Sequence, residues 1–419
     1  MFFVKKLMEG RLFRGTWKAI VAKWDWFWDR IDFYLGWLGR LIFAMVSKTD
    51  SNKVFFMTQE SSFTCNPKYI YENLHERFPE VETVWRMDNK FKNSFPKEIK
   101  TVKYNSFEYF YEIFTSKVLV ANSFIFLGLP FSLKKNQVLI QTWHGSLGLK
   151  KHSKEVIKDK NSKRRIHGLE YTGKRTDYLI VNSTLECSSL GETYWPDTKM
   201  LMYGHPRNDI LCKGYEEKRE EIKKKLFEEL ELNPETRIVM YAPTFRDQTD
   251  DYECYQINYD NLVETLSEKF GGEWSVLERY HPALSNKKKY MKFSKDYECK
   301  VLNVTSHPDM QELICITDVA ITDYSSWIYD FVLMRRPGFI FATDIESYCE
   351  NDRGFYYPIE ETPFLIAKNN DELIDNISKF DMEIYQSKVE AFLKDKGCVD
   401  EGKASERTVD LIVDSLKLD

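Results

Sequence analysis

Short apolar runs alternate with longer segments of helical spacing along nearly the whole chain, and this alternation limits the possible folds more than any other feature. Runs typical of strands lie at 54–58, 83–87, 117–121, 138–142, 178–182 and 200–203, and again at 237–241, 274–277, 301–304, 319–321 and 338–341. Segments typical of helices separate them, among them 67–78, 107–114, 259–270, 309–316 and 326–334. Such alternation is typical of mainly parallel sheets covered by helices. The sequence therefore predicts an α/β protein.

The length of the chain, together with a charged segment near its middle, predicts two domains. At 419 residues it exceeds the roughly 250–300 residues at which single hydrophobic cores stop growing. Residues 212–236 are rich in Lys and Glu and contain the turn signal Asn233-Pro234, a pattern typical of a solvated linker helix. We therefore predict two doubly wound, Rossmann-like domains facing one another across a cleft, at 49–211 and 237–419.

The first 48 residues are basic and rich in Trp. They contain nine Lys and Arg residues and four acids, and apolar residues recur at helical spacing from Trp17 to Met45. No apolar run is long enough for a transmembrane helix, and no signal-peptide core is present. Residues 1–48 are predicted to form an amphipathic helical segment on an anionic membrane surface. A helix that caps the first domain is the alternative.

Charge, cysteine spacing and missing motifs exclude several classes of protein. The formal net charge of −5 gives no general attraction to nucleic acid. The eight cysteines lack the spacing of zinc ligands, so we predict reduced thiols and no metal site. The sequence also lacks the motifs of P-loop hydrolases, dinucleotide-binding enzymes, zinc proteases and common serine hydrolases. We expect no cofactor.

Polar motifs directly follow many of the strand-like runs. In an open α/β sheet, ligands bind in the crevice beyond the carboxyl ends of the strands, so these motifs predict one shared active site. The motifs are Trp143-His144-Gly145, Gly204-His205-Pro206-Arg207, Pro243-Thr244, Arg279-Tyr280-His281-Pro282 and Asp323-Tyr324-Ser325-Ser326.

Two histidines are the candidates for proton transfer. His144 precedes a Gly-rich loop that leads to Lys150 and Lys151, a setting that suits the approach of a phosphate and a general base for an alcohol. A buried structural histidine is the alternative. His281 follows Arg279 closely and could neutralise a pyrophosphate or protonate a leaving group.

The other candidates carry positive charge or hydrogen-bonding groups. Arg207 could present its planar fork to a phosphate, or it could brace a domain hinge. Ser325 and Ser326 precede a predicted helix, where hydroxyls and backbone N–H groups bind anions; a plain helix cap is the alternative. Asp330 lies one helical turn after Ser326 and could accept a ribose hydroxyl.

Taken in order, the motifs resemble the CDP-glycerol glycerophosphotransferase family of teichoic-acid and capsule assembly. The similar stretches are QTWHG, GHPRND, YAPTFRD, RYHP, TDYSSWIYD, RRPGFIF and DRGFY, and they lie between Gln141 and Tyr357. The resemblance implies a GT-B type fold and peripheral attachment to the cytoplasmic face of the cell membrane. It also implies transfer of glycerol phosphate from CDP-glycerol to a lipid-linked polyanionic or saccharide acceptor, with release of CMP.

The resemblance further implies roles for individual residues. His144 would deprotonate the acceptor hydroxyl. The residues near the phosphates would be Gly148, Leu149, Lys150 and Lys151. The CDP-alditol pocket would be lined by Arg207, Pro243, Thr244, Arg279, Tyr280, His281, Ser325, Ser326 and Asp330.

Three other interpretations stay open at this point. An enzyme that uses CDP-ribitol would share every motif. A GT-B nucleotide-sugar glycosyltransferase would release a nucleoside diphosphate in place of CMP. A non-enzymatic membrane-bound scaffold would keep its function after His144→Ala. The resemblance also leaves open whether the chain acts as a primase, a polymerase or a capsule side-chain transferase.

Overall fold

The computed structural model shows two α/β domains. It describes residues 42–43, 45–123, 133–148, 150–151, 160–244, 255–280, 297–346, 348 and 354–417. Most of the predicted segment 1–48 lies outside these residues, as do Leu149 and His281. None of the helices in the described part of the chain has the length and apolar character that a membrane span requires.

The first domain contains a seven-stranded sheet whose strands all run parallel. Its strands are β1 (Asp50–Met57), β2 (Glu82–Met87), β3 (Thr101–Lys103), β4 (Ser116–Ala121), β5 (Val138–Gln141), β6 (Tyr178–Val181) and β7 (Lys199–Met202). The strand order is β3-β2-β1-β4-β5-β6-β7. Its helices are α1 (Cys65–Arg77), α2 (Phe107–Thr115) and α3 (Lys160–Arg175), and an irregular helical segment after β6 consists of Thr184–Glu186, Cys187–Gly191 and Glu192–Tyr194.

The second domain contains a six-stranded parallel sheet. Its strands are β8 (Arg237–Tyr241), β9 (Trp274–Glu278), β10 (Val301–Asn303), β11 (Val319–Thr322), β12 (Gly338–Phe341) and β13 (Leu365–Ala367), in the order β10-β9-β8-β11-β12-β13. The linker helix α4 (Glu216–Glu229) precedes them, and the later helices are α5 (Tyr259–Phe270), α6 (Met310–Ile316), α7 (Trp327–Phe331), α8 (Asn370–Ser378), α9 (Met382–Asp395) and α10 (Ala404–Lys417). In the two domains together, short 3-10 helices lie at Asn89–Ser94, Pro206–Leu211, Val332–Met334 and Ile359–Glu361.

Both sheets reverse their strand order beside their first strand, between β1 and β4 and between β8 and β11. Such topological switch points form the ligand crevices of doubly wound folds. Each switch point opens into the space between the two domains, because residues that follow β1, β4, β8 and β11 line one common cleft. The predicted doubly wound architecture is confirmed.

The strands are recognisable in the sequence because helices cover both faces of each sheet. In β1, Val54, Phe55 and Phe56 are completely buried, and Phe56 stacks on Trp85 of β2 with ring centroids 4.9 Å apart. Strands buried on both faces form continuous apolar runs. The two strands that were not predicted, β3 and β13, are three-residue strands at the sheet edges.

The predicted second domain, 237–419, is wrong at its carboxyl end. Helix α10 buries Val409 and Ile412 in the core of the first domain, against β1 and β4. The carboxylate of Asp209 accepts hydrogen bonds from the backbone N–H groups of Ala404 and Ser405, at 2.9 and 2.7 Å, and so caps this helix. An apolar helix face shows that a helix packs on a core, but not on which core. The other boundaries stay predictions.

Candidate active site

A cleft of about 1070 Å³ lies between the domains, at the carboxyl ends of the central strands of both sheets. Most of the residues predicted for the site line it, and these are His144, Lys150, Arg207, Pro243, Thr244, Arg279, Tyr280, Ser325, Ser326 and Asp330. Gly148 lines a smaller adjoining cavity of about 130 Å³. The structure thus brings together motifs from both domains that are far apart in the sequence.

The imidazole of His144 is oriented by a backbone carbonyl at the end of the neighbouring strand. Nδ1 lies 2.6 Å from the carbonyl oxygen of Asn122, which directly follows β4. Because a carbonyl oxygen only accepts hydrogen bonds, Nδ1 carries the hydrogen, and the lone pair of the neutral ring lies on Nε2. The ring also stacks on Trp143, with centroids 4.3 Å apart. This tautomer is the one that a general base needs.

The turn that carries His144 is held in an uncommon backbone conformation. Trp143 has φ +50°, in the left-handed region that residues other than Gly seldom adopt. The buried side chain of Asn66 donates hydrogen bonds to the carbonyls of Thr142 and Trp143, at 3.0 and 3.1 Å. The backbone N–H of Trp143 donates to the side-chain oxygen of Gln141, at 2.9 Å. Several contacts therefore over-determine the turn, as expected for strain at a functional site.

Arg207 uses its guanidinium to hold this turn. Nη1 donates to the carbonyl of His144 at 2.8 Å and to the thiol of Cys65 at 3.3 Å. Nη2 lies 3.1 Å from the carbonyl of Gly145 and 3.0 Å from Oδ2 of Asp330, and Nε donates to the same oxygen at 3.1 Å. These contacts match the five N–H donors of a guanidinium. Arg207 therefore braces the domain junction, which was the alternative to phosphate binding.

Burial of Arg207 by itself favours the neutral form and lowers the pKa, but the charge of Asp330 outweighs it, so that the pKa is raised. The guanidinium is thus a permanent cation in a buried ion pair. A buried pair of this kind depends on both partners, because removal of either leaves an uncompensated charge.

Asp330 is the counterpart of Arg207 in the second domain. Its side chain is only 3% exposed. Oδ1 accepts a hydrogen bond from Asn208, and Oδ2 accepts from Gln311 and twice from Arg207. Protein donors therefore occupy the carboxylate, and this geometry lends no support to the predicted contact with a ribose hydroxyl.

Donors remain available at the second domain's side of the cleft. The hydroxyls of Ser325 and Ser326 line it, and the Ser326 side chain makes no capping hydrogen bond to α7. Nη1 of Arg279 donates to the carbonyls of Val304 and His307, at 3.3 and 2.6 Å. Its Nε and Nη2 atoms have no hydrogen-bond partner among the described residues. Burial lowers the pKa of Arg279 from its usual value, opposed by the charge of Asp309.

Loops of the two domains meet beside these donors. A Cβ added to Gly148 would lie 3.4 Å from Cβ of Ser326, an ordinary contact, but 3.1 Å from the Ser146 carbonyl oxygen, which is tight. Nζ of Lys150 lies 3.4 Å from Oγ1 of Thr244, at the end of β8. The backbone N–H of Lys151 donates to the carbonyl of Gly354 at 3.1 Å. The predicted phosphate loop thus docks on the second domain.

Tyr280 lines the cleft, but its hydroxyl has a structural partner. The hydroxyl donates to Oε1 of the buried Glu278 at 2.8 Å, and Tyr259 donates to the same oxygen at 2.7 Å. Desolvation and the charge of Glu278 raise the pKa of Tyr280. Its hydroxyl therefore stays protonated, with its hydrogen directed at Glu278, and its ring forms the cleft wall. Within the described ranges, no cluster of three or more His, Cys, Asp or Glu residues could hold a metal ion.

Two doubly wound parallel domains with a cleft between their switch points define a protein of the GT-B type. Solved structures of the wall teichoic acid polymerase TagF have a TM-score of up to 0.77 at 29% identity, covering 90% of this chain and 93% of that one. A Listeria monocytogenes protein with the proposed activity of a UDP-N-acetylglucosamine 2-epimerase has the same fold, with a TM-score of 0.50 at 13% identity, covering 88% of this chain and 97% of that one.

Residues 40–414 match the family model described as CDP-Glycerol:Poly(glycerophosphate) glycerophosphotransferase, and the chain belongs to this family. The teichoic acid poly(glycerol phosphate) polymerase of Staphylococcus epidermidis is 32% identical over 403 residues. That match covers 90% of this chain and 53% of the relative, so the chain spans about half of that protein. The polymerase of the same name from Bacillus spizizenii is 27% identical, with 88% of this chain and 93% of the relative covered. The predicted family and fold type are confirmed.

Proposed function

We propose that the chain transfers glycerol phosphate from CDP-glycerol to a hydroxyl of a membrane-linked teichoic-acid or capsular polysaccharide acceptor, and releases CMP. The observation that carries the proposal is the position of His144 in the cleft, with Nδ1 anchored on the carbonyl of Asn122, which fixes the tautomer whose basic lone pair lies on Nε2. The family description supports the donor. A structure of the similar polymerase TagF was obtained after a soak with CDPG.

The reaction begins with the acceptor hydroxyl, which gives its proton to Nε2 of His144 as its oxygen attacks the β-phosphorus of CDP-glycerol. The new bond joins the acceptor oxygen to the glycerol phosphate. The bond that breaks joins the β-phosphorus to the oxygen bridging the two phosphates, and CMP leaves with that oxygen. Positioning of the reactants and stabilisation of charge supply most of the catalysis in such transfers.

Charge that develops on the phosphates is met from the second domain. Arg279 offers Nε and Nη2, while Ser325 and Ser326 offer hydroxyls on the same side of the cleft. We assign His281, which follows Tyr280 directly, to the leaving phosphate. Arg207 acts as a positioning residue, because its donors hold the His144 turn.

Membrane attachment at the cytoplasmic face is part of the proposal. Besides the basic, Trp-rich composition of residues 1–48, the end of this segment exposes Met45 and Val46 by 69% and 70%. Phe107, 71% exposed, belongs to the same region, because Phe43 packs against it with ring centroids 5.7 Å apart. Sedimentation with anionic vesicles should weaken as salt rises and should be lost when 1–48 is deleted. Unchanged sedimentation of the deletion variant would contradict attachment by this segment.

The experiment that tests the proposed reaction measures CMP release with three donors: CDP-glycerol, CDP-ribitol and a UDP-sugar. The acceptor is dodecyl phosphoglycerol, a single glycerol phosphate unit on an alkyl chain, presented in detergent. We expect CMP from CDP-glycerol and formation of a product longer by one glycerol phosphate. Release of UDP from the sugar donor, without CMP from either CDP-alditol, would show a glycosyltransferase and overturn the proposal.

A ribitol-phosphate transferase is the second candidate. The teichoic acid poly(ribitol-phosphate) polymerase of Bacillus spizizenii is 28% identical, with 87% of this chain and 56% of the relative covered. Its identity to this chain is close to that of the glycerol relative of the same organism. CMP release that depends on CDP-ribitol alone would establish this candidate and exclude the first.

A further inference from the structure

A second cavity of about 130 Å³ lies next to the main cleft. The two cavities share His144, Lys150 and Ser326, so these residues form the partition between them. The imidazole of His144 therefore borders two separate spaces, one large and one small. The proposed reaction uses only the large one.

Six of the residues that line the small cavity belong to the loop at 143–150, and four belong to the irregular helical segment after β6. These four are Leu185, Glu186, Ser189 and Leu190. They form two pairs spaced four residues apart, which is the spacing of neighbours on one helical face. The segment contains a π-helical turn at Cys187–Gly191, a distortion that occurs frequently at functional sites. Ser326 and Tyr356 of the second domain close the cavity on the other side.

The in-line geometry of phosphoryl transfer indicates a role for the small cavity. In such transfers the attacking and leaving oxygens lie roughly in line, on opposite sides of the phosphorus. The large cleft contains Arg279 and the hydroxyls of the second domain, which the proposed function assigns to the nucleotide side of the donor. The attacking hydroxyl then approaches the phosphorus from the side opposite the leaving CMP, and the small cavity offers it a position next to His144.

We infer that the small cavity binds the terminal, uncharged polyol unit of the acceptor and delivers its hydroxyl to His144. The inference rests on the proposed function. A cavity needs about 10–15 Å³ to hold one water molecule, so a cavity of about 130 Å³ has room for a three-carbon polyol.

The polar groups around Glu186 suit hydroxyls. Oε2 of Glu186 accepts hydrogen bonds from Nε2 of His205 at 3.0 Å and from the backbone N–H of Asn182 at 2.8 Å. Oε1 of Glu186 has no hydrogen-bond partner among the described residues, and it can accept one from a polyol hydroxyl. The carboxylate repels a phosphate placed beside it, whereas Lys150, which also lines the cavity, attracts one. The free hydroxyl unit of the acceptor therefore lies beside Glu186, and its nearest phosphate lies towards Lys150.

Ser189 and Ser188 provide a matched pair of variants. Both hydroxyls donate to the carbonyl of Leu185, at 2.6 and 3.2 Å, but of the two only Ser189 lines the cavity. Ser189→Met fills the cavity, and Ser188→Met places the same side chain on the exposed side of the same segment. Thermal unfolding of each variant reports whether the fold is kept.

The test measures the KM for dodecyl phosphoglycerol from CMP release, and the Kd for CDP-glycerol by calorimetry. For Ser189→Met we expect the acceptor KM to rise by about tenfold or more while the donor Kd stays within about twofold of wild type. Ser188→Met should behave like wild type. An acceptor KM that is unchanged in Ser189→Met, or a rise in donor Kd that accounts for the whole loss, would overturn the inference. Wild type that releases no CMP from any CDP-alditol would instead overturn the proposed function and the inference with it.

Discussion

Among the described residues, two buried ionic contacts between the domains differ in what else they hold. Lys68 of α1 pairs with Asp309 and Glu312, which lie at the start of the second domain's α6, with both distances at 2.6 Å. Arg207 pairs with Asp330, and it also donates to the carbonyls of the His144 turn. The Lys68 contact ties one domain to the other. The Arg207 contact ties the packing of the domains to the shape of the active site.

The comparison shows that a buried charge can stabilise the fold alone, or can also fix the shape of the active site. Both cations are buried, and both have a raised pKa although desolvation by burial opposes it, because carboxylates surround them. Ionisation therefore does not distinguish the two contacts. They differ in the backbone carbonyls that Arg207 binds. Variants of the two residues should consequently share their effect on stability and differ in their effect on turnover.

The largest combined effect is expected for Arg207→Met. The substitution leaves the Asp330 carboxylate buried without its cation, which costs about 3–5 kcal/mol of unfolding free energy. It also releases the carbonyls of His144 and Gly145, so turnover should fall by about 100-fold or more. Urea unfolding and CMP release measure the two effects.

Arg207→Lys serves as the control for folding. It keeps the positive charge beside Asp330 but has no planar fork for two carbonyls and a carboxylate. We expect a smaller loss of stability than for Arg207→Met, with turnover still strongly reduced. Full turnover in a folded Arg207→Lys protein would show that the clamp does not position the turn.

Lys68→Met should have a comparable effect on stability and a much smaller effect on turnover. The variant strands the buried Asp309 and should lower the unfolding free energy by about 3 kcal/mol. No atom of Lys68 contacts the His144 turn in the described hydrogen-bond network, so turnover of the folded protein should stay within about threefold of wild type. A fall in turnover like that of Arg207→Met would erase the distinction between the two contacts.

The smallest effect is the response of the Lys68 contact to acid. Burial of Glu312 acts to raise its pKa, but the hydrogen bond with His307 and the charge of Lys68 outweigh burial and lower the pKa from 4.5 to about 2. A carboxyl with a lowered pKa in the folded state stabilises the protein above its unfolded pKa, and this contribution is lost as the pH falls through the folded pKa. Between pH 4.5 and about 2, the loss should be at most about 3 kcal/mol.

Glu312→Gln isolates this contribution. The variant should start with a lower unfolding temperature near neutral pH and should lose less stability than wild type as the solution is acidified. Thermal unfolding measured across this pH range shows how steeply the stability of each protein falls with pH. If it fell equally steeply in both proteins, Glu312 would not be the source of the acid response of the contact.

The fold was largely predictable because the strands that build it are buried on both faces. The predicted bounds of β8, β12 and α5 match those observed, at Arg237–Tyr241, Gly338–Phe341 and Tyr259–Phe270. The packing partner of α10 was not predictable, since its apolar face fits either core and its cap, Asp209, lies almost two hundred residues earlier in the chain. Local sequence periodicity does not show which of two distant cores a helix packs against.

The sequence predicted which residues line the site better than it predicted what each of them does. Strand-end motifs identified the residues that line the cleft, because parallel strands bring their carboxyl ends to one edge. The role of Arg207 depends on Asp330 and Cys65, and the geometry of the turn depends on Asn66. Asn66 lies in none of the predicted motifs, although the polar stretch Thr58-Gln59-Glu60-Ser61-Ser62 precedes it at the end of β1. Its other sequence signal is a position at the start of α1, just after the loop that follows β1.

The central claim is that His144, held in one tautomer by Asn122, removes the proton from the acceptor. His144→Gln keeps a donor for the Asn122 carbonyl but has no ring nitrogen to accept a proton. The decisive measurement is CMP release from CDP-glycerol by wild type and by this variant, with donor Kd measured alongside. We predict a rate at least about 100-fold lower with donor affinity within about twofold of wild type. CMP release at the wild-type rate in the folded variant would contradict the assignment of His144 as the base.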